Sequence, residues 1–479
     1  MTTKDGPPHV AMLATPGMGH LIPLAELAKR LAARHGATAT LLTFASTASA
    51  TQRAFLATLP PSVSHETLPP ADLSDLPHDA LVETRMSVEG TRSLPALATI
   101  LAELKRTTRL VAFVTDLFGI DAFDAARDAG VGRRCLFFPG SLHALMLPPP
   151  PPPPPELVVS IPGEFRDLTE PVRLPGCVPI PGPDVLSPLQ DRSSPAFGVM
   201  VHLAERFLDA HDILVNSFDA VEPEVATVIR QPKPGRPPVY PVGPLILKAD
   251  STSDASDTAP QPPRPASLEW LDRQPPKSVI FISFGSGGAL PAEQMRGLTL
   301  GLEISEQRFL WVVRSPSDEG SLSSNYYDSE TKKDPFAYLP EGFVERTKDM
   351  GLVVPSWAPQ IEVLSHEATG GFLTHCGWNS TLESLVHGVP MVEWPLYAEQ
   401  RLNAVMLSEG VGAAIRLPEM KEKETIAAAV RELMAGEAKG AAVRAKVAEL
   451  KMAAAEGLRE GGAATAALDG VVENWAGEN

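Results

Sequence analysis

The stretch from Trp357 to Gln400 reads WAPQIEVLSHEATGGFLTHCGWNSTLESLVHGVPMVEWPLYAEQ, and its reading decides the fold. A Trp-Ala-Pro-Gln turn opens it, and an apolar run from Gly371 to Thr374 follows, of a length that suits a buried strand. That run ends in His375-Cys376-Gly377-Trp378-Asn379-Ser380, after which a helical stretch carries Glu383. A second apolar strand, Pro390 to Val392, leads to Glu399 and Gln400. Short apolar strands separated by helices imply a parallel sheet covered on both faces. A strand–Gly–helix junction also presents free backbone N–H groups and the positive end of a helix dipole, where a phosphate can sit. Asn379 and Ser380 are good N-cap residues and offer side-chain donors to the same oxygens. His375, at the strand's carboxyl end, can donate as well. Trp357 offers a flat face for a base, an interaction worth about 1–3 kcal/mol. Glu383, one turn into the helix, can accept from ribose hydroxyls as the acidic residue of a dinucleotide fold does. Glu399 and Gln400 supply acceptors and donors for a sugar.

The same alternation extends outward in both directions. Upstream, strands are expected over Val279–Phe284, Phe309–Val313 and Leu352–Val354, with a helix over Ala292–Ile304. Downstream, helices over Glu424–Ala435 and Gly440–Ala455 close this half. The first half repeats the pattern, with strands at Val10–Ala14, Thr38–Phe44, Leu110–Thr115 and Cys135–Phe138 between helices at Leu21–Ala33, Leu97–Leu104 and Ala122–Ala129. Between the halves, Lys248 to Pro265 holds Ser, Asp, Thr, Gln and Pro with almost no large apolar residue, the composition of a linker. The expected organisation is therefore a first domain over 1–247, a linker over 248–265 and a second domain over 266–456. Two doubly wound domains joined in this way imply a cleft between the carboxyl edges of their sheets. Ser315 to Asp334 lacks apolar periodicity and reads as a mobile loop. The unbroken proline run Pro148 to Pro155 reads as a stiff polyproline spacer, with a docking site for a proline-recognition domain as the alternative.

Composition narrows the chemistry. The 479-residue chain carries a formal net charge of −17, which argues against a nucleic-acid partner. An anionic ligand must then be held by local dipoles. Cys135, Cys177 and Cys376 lie in separate segments without metal-ligand spacing and read as free thiols in a reducing compartment. The first residues lack signal-peptide architecture, and no apolar run approaches the roughly 18 residues of a membrane span. A cytoplasmic protein, not inserted in a membrane, is the expectation.

From Trp357 to Gln400 the chain resembles, almost residue for residue, the signature box of plant family 1 (secondary-product) UDP-glycosyltransferases. Smaller matches are spread along the chain: Pro16 to His20, Leu174 to Cys177, Tyr240 to Pro244 and Ser283 to Gly287. Pro335-Phe336, Leu339 to Phe343 and Trp394 to Gln400 are most similar to the phenol-glucosylating branch of that family, the hydroquinone glucosyltransferase (arbutin synthase) type. The resemblance implies a GT-B fold, with residues 457–479 forming a helix that returns to the first domain. It also implies a monomeric hexosyltransferase that uses UDP-glucose as co-substrate, with neither a metal nor another cofactor.

His20 ends the turn after the first strand, and Asp116 ends a later strand of the same sheet, so both belong to its carboxyl edge. An Asp behind a His fixes the imidazole tautomer and stabilises the imidazolium. By resemblance the two form the catalytic dyad: His20 takes the proton from an acceptor hydroxyl, whose oxygen attacks the anomeric carbon opposite UDP. An α-linked donor then gives a β-glucoside. The same resemblance gives Trp357, Ala358 and Gln360 to uracil and ribose, Glu383 to the ribose hydroxyls, and His375, Asn379, Ser380 and the Ser286 loop to the diphosphate. Trp378, Glu399, Gln400 and Ser141 fall to the donor sugar. A terminal Gln in the box is similar to glucose-using members, which leaves UDP-xylose and UDP-galactose open. Gly17, Met18, Leu117, Phe118, His143 and Leu396 are candidates to line the acceptor site as loop residues near the edge. Core packing explains Leu117, Phe118 and Leu396 equally well. Glu393 stands where relatives carry a small or apolar residue, and reads either as a tolerated cleft-edge residue or as a change in acceptor preference.

Alternatives keep the donor and change the acceptor to a flavonoid, terpenoid or hormone, or add N- or S-glucosylation of aromatic compounds. A non-catalytic nucleotide-sugar sensor is the non-enzyme reading. A serine hydrolase is disfavoured, because no Gly-x-Ser-x-Gly elbow follows a strand.

Overall fold

A computed structural model describes residues 6–77, 80–147, 163–247, 264–316, 334–436 and 438–476. The proline run, residues 248–263 of the expected linker and residues 317–333 of the expected loop lie outside the described residues. The chain divides into two compact units, Met1–Leu247 with Glu456–Asn479, and Lys248–Ala455.

In the first unit the strands are β1 (Pro8–Leu13), β2 (Thr38–Phe44), β3 (Val63–Leu68), β4 (Arg109–Asp116), β5 (Arg133–Phe138), β6 (Asp212–Val215) and β7 (Val239–Pro241). They form one sheet in the order β3-β2-β1-β4-β5-β6-β7, and every neighbouring pair is parallel. The second unit contains β8 (Val279–Ser283), β9 (Arg308–Val313), β10 (Gly351–Pro355), β11 (Thr369–Thr374), β12 (Met391–Glu393) and β13 (Ala414–Arg416). These form a second all-parallel sheet in the order β10-β9-β8-β11-β12-β13. In each sheet the chain starts at the centre, winds to one edge, then returns past its first strand to build the other. Such a reversal lies between β1 and β4 in one unit and between β8 and β11 in the other, and ligands of open α/β sheets bind at the carboxyl ends of strands at this point. Two doubly wound domains in one chain are the GT-B class expected from the sequence.

The central strands are continuous apolar runs because both faces are covered. All five residues of β8 are buried, as are all six of β11. β3, β6, β7 and β13 escape a search for apolar runs. β3 buries only its two ends and exposes Ser64 to Thr67, and β7 and β13 are three residues long.

The first helix, Met18–His35, turns Leu21, Leu24, Ala25, Leu27, Ala28 and Leu31 into the core and stops at Gly36, which is left-handed with φ 60°. It begins earlier than the apolar pattern suggests. Gly17, at φ 112°, makes the sharp turn out of β1, and its carbonyl accepts from the N–H groups of His20 and Leu21. Met18 and His20 therefore lie in the first helical turn rather than in a loop. Leu117 and Phe118 are likewise in a 3-10 turn, Leu117–Gly119, and His143 is in the helix Leu142–Met146. The last helix, Ala463–Ala476, packs Leu468, Val471 and Trp475 into the core formed by β1, β4, β5 and the first helix.

Candidate active site

In the first unit, β1 and β4 are neighbours, so the residues that follow β1 meet the end of β4. Asp116 is fully buried there. It accepts from the Thr15 N–H (2.8 Å to Oδ2) and the Phe118 N–H (3.1 Å to Oδ1). The Thr15 hydroxyl donates to the same carboxylate, 2.7 Å from Oδ1 and 2.8 Å from Oδ2. The Nδ1 of His20 lies 3.2 Å from Asp116 Oδ2 and 3.3 Å from the Thr15 hydroxyl. A carboxylate at this distance holds the proton on Nδ1 and leaves the Nε2 lone pair to act as a base. The Phe118 ring packs against the imidazole at 5.9 Å between centroids.

Ser141 and His143 follow β5, the next strand of the same edge. Ser141 caps the helix Leu142–Met146 by accepting from the Ala144 N–H. His143 is buried, and its Nδ1 lies 2.8 Å from the Oε1 of Glu222. That carboxylate also accepts from the N–H groups of Leu142 and His143 and from the Ser217 hydroxyl. Gly17, Met18 and Phe118 are half-buried, whereas Leu117 is buried.

In the second unit, three strands, β8, β10 and β11, run into residues expected to hold the donor. β8 runs into Gly285 (φ 75°) and the exposed Ser286. β10 runs into Ser356 (φ 64°) and Trp357, whose ring is 63% exposed. An aromatic surface left open at a sheet edge is available for stacking. β11 runs into His375, Cys376 (φ 64°) and Gly377, which opens the helix Trp378–His387. The imidazole of His375 rests in a cradle of two glycines: a Cβ added at Gly285 or at Gly377 would lie 2.5 Å from its Nε2. Burial, assisted by the positive charge of Arg314, pushes His375 down to about 4. It is a neutral hydrogen-bonding group at ordinary pH.

One turn into that helix, Ser380 and Glu383 meet the side-chain amide of Gln360, which donates to the Ser380 hydroxyl (2.9 Å) and to Glu383 Oε2 (2.6 Å). Burial raises Glu383 to about 7, against the opposing pull of the Gln360 bond. Ala358 and Trp378 are buried, and Asn379 is half-buried. Ala398, at φ 54°, turns the chain into Glu399 and Gln400. Gln400 uses its side-chain oxygen to accept from the N–H groups of Leu396 and Tyr397, and Glu399 receives the Asn403 amide at 3.5 Å. Leu396, expected to line the acceptor site, is a buried residue of the second unit, and Ser141, expected to bind donor, belongs to the first.

Glu393 corrects an expectation. It is fully buried within β12, between Thr374 of β11 and Arg416 of β13, so it is not a solvated edge residue. Among the described residues neither oxygen makes a well-formed hydrogen bond, and burial pushes its carboxyl well above the usual range against the opposing pull of Arg416 and the Ser408 hydroxyl. Arg314 is a residue that the sequence reading missed. It follows β9, and its guanidinium donates to the carbonyls of Ser286 and Ser356. A charged residue directly after an apolar strand at the ligand-binding edge is the signal that would have found it. Among the described residues, no group of three or more His, Cys, Asp or Glu could hold a metal ion, and no helix is long and apolar enough to cross a membrane.

Residues 240–446 match the family described as UDP-glucoronosyl and UDP-glucosyl transferase. Over 475 residues the chain is 48% identical to hydroquinone glucosyltransferase from Rauvolfia serpentina, covering 98% of each sequence. The chain belongs to the plant family 1 UDP-glycosyltransferases. It is thus an enzyme that takes its sugar from a UDP-linked donor. Among solved structures, it is similar to UGT2 of Phytolacca americana in complex with UDP-2-fluoro-glucose and pterostilbene (TM-score 0.86, 42% identity, 98% of this chain and 100% of that one). It is also similar to a UDP-glucosyltransferase from Polygonum tinctorium capable of glucosylating indoxyl, in complex with 3,4-dichloroaniline (TM-score 0.87, 44% identity, 99% of each chain).

Proposed function

We propose that this enzyme transfers glucose from UDP-glucose to the hydroxyl of a small phenolic acceptor, with inversion, to give a β-O-glucoside. The observation that carries the reading is the His20–Asp116 pair at the switch point of the first sheet, 3.2 Å apart with the carboxylate fully buried. His20 Nε2 takes the phenolic proton while Asp116 stabilises the imidazolium. A phenol, with a pKa near that of Tyr at about 10, gives up its proton far more readily than an aliphatic alcohol. Trp357, Ala358, Gln360 and Glu383 hold the nucleoside; Trp378, Glu399, Gln400 and Ser141 hold the sugar. Negative charge growing on the departing UDP is met by neutral N–H and O–H donors: His375, Asn379, Ser380, the Ser286 loop and the N-terminus of the helix Trp378–His387. Gly17, Met18, Phe118 and the buried Leu117, His143 and Leu396 shape the acceptor side.

The acceptor class is supported by the relatives: one is named for hydroquinone, another is solved with pterostilbene, and a third glucosylates indoxyl. The complex of the third with 3,4-dichloroaniline supports a second reading, N-glucosylation of aromatic amines at the same site. Three free cysteines support an enzyme working in the cytoplasm, a reducing compartment. The test is an acceptor panel with UDP-glucose, with products scored by mass and by the anomeric proton coupling in NMR. β-Glucosides of simple phenols are expected; α-linked products, or turnover confined to non-phenolic acceptors, would contradict the proposal.

A further inference from the structure

The order β10-β9-β8-β11 puts Arg314, directly after β9, between two strands whose carboxyl-end loops belong to the donor site. Its Nε and Nη2 donate to the Ser356 carbonyl at 3.2 and 3.1 Å, and its Nη1 donates to the Ser286 carbonyl. Both carbonyls sit at tight turns, of which the one at Ser356 is disfavoured for a residue with a side chain, whereas glycine takes the other freely. Ser356 is left-handed at φ 64°, and Ser286 follows left-handed Gly285 at φ 75°. A planar guanidinium can bridge two such carbonyls at once, which an ammonium cannot do with the same geometry. Ser356 carries the stacking platform Trp357, and Gly285 forms half of the cradle of His375, so the bridge ties the two ends of the site together. The charge of Arg314 is felt inside that cradle, where it helps to hold His375 neutral, and Tyr397 lies close enough to interact with it. Among the described residues, three of the five guanidinium N–H groups donate to these two carbonyls.

We propose that Arg314 is a positioning residue of the donor site, one that locks the Ser286 loop to the Trp357 turn and places a fixed positive charge beside the diphosphate. The inference rests on the donor site proposed above. It separates into two parts that different substitutions remove. Arg314→Met loses both the bridge and the charge, whereas Arg314→Lys keeps the charge and loses the bridge.

The test compares affinities for UDP and uridine by calorimetry, with steady-state kinetics for UDP-glucose and for a phenol. Arg314→Met is expected to raise KM for UDP-glucose about tenfold or more, with acceptor KM changed by less than about twofold, and to weaken UDP more than uridine. Arg314→Lys is expected to restore the ratio of UDP to uridine affinity while both ligands remain weaker than with Arg314. Equal losses in donor and acceptor KM together with a large fall in thermal midpoint would make Arg314 merely structural and overturn the inference. So would unchanged UDP affinity in Arg314→Met while Trp357→Ala weakens it. Unchanged UDP affinity in Trp357→Ala as well would instead overturn the donor site on which the inference rests, and the inference with it.

Discussion

Asp116 receives the Thr15 N–H and hydroxyl, the Phe118 N–H and His20, so its position is fixed by the ends of β1 and β4. Asp116→Asn would offer an amide N–H to Nδ1 and drive the proton to Nε2, the wrong tautomer for a base. We expect kcat to fall by roughly 10²–10⁴-fold with donor affinity little changed, as measured by kinetics and calorimetry on one preparation. Glu383 carries a pH dependence. Its carboxyl is raised to about 7, and ribose hydroxyls donate to the ionised form, so donor affinity should be full above pH 7 and fall as the pH drops below it. UDP-glucose should bind up to about tenfold more weakly at pH 6 than at pH 8, and Glu383→Gln should flatten that profile. Glu393 makes the opposite kind of statement, about stability. With a folded value raised well above its ordinary one, its cost is absent at low pH, begins above about pH 4.5 and grows as the pH rises. Glu393→Val should therefore stabilise the protein by roughly 1–3 kcal/mol at pH 8 and by less at pH 5, read from denaturation at both. That a carboxylate stands at an apolar position is visible in the sequence; its complete burial depends on flanking strands of which one, β13, is too short to be recognised.

Among the elements, the strand–glycine–helix junctions decide the site. Gly377, at φ −60°, is not held by backbone strain; what excludes a side chain is the His375 imidazole, 2.5 Å from where a Cβ would stand. Gly377→Ala should displace that ring, raising KM for UDP-glucose and lowering kcat while acceptor KM stays unchanged, a split that kinetics can read. This junction was legible because its glycine interrupts an apolar run and a helical pattern begins after it. The junction after β1 was legible in residue type but not in extent, since the helix starts at Met18, before its first fully buried side chain at Leu21. β3 was hidden by its exposed middle residues, and the Arg314 bridge was hidden because it joins loops far apart in sequence whose neighbourhood exists only through strand order.

At the scale of the whole molecule, the chain folds into two units, with the last helix belonging to the first. Trp475 is 5% exposed in the core of the first unit, and Arg34, near the end of the helix that begins at Met18, is clamped by Glu460 and Asp469. Trp475→Ala should destabilise the first unit by roughly 3–5 kcal/mol and leave the second unchanged. UDP, whose proposed contacts all lie in the second unit, should do the reverse, stabilising only the second, by about 2.7 kcal/mol at a hundred times its dissociation constant. Scanning calorimetry reads both. The account's central claim is the proposed role of His20 as the base that takes the proton of the acceptor hydroxyl. The most direct measurement is the rate of His20→Ala on a series of phenols of decreasing pKa, with UDP-glucose affinity taken by calorimetry on the same preparation. The account predicts unchanged donor affinity and a loss of about 10²–10⁴-fold for weakly acidic phenols, shrinking toward none for phenols already ionised at the assay pH. An equal loss across the series, or a parallel loss of donor affinity, would contradict it.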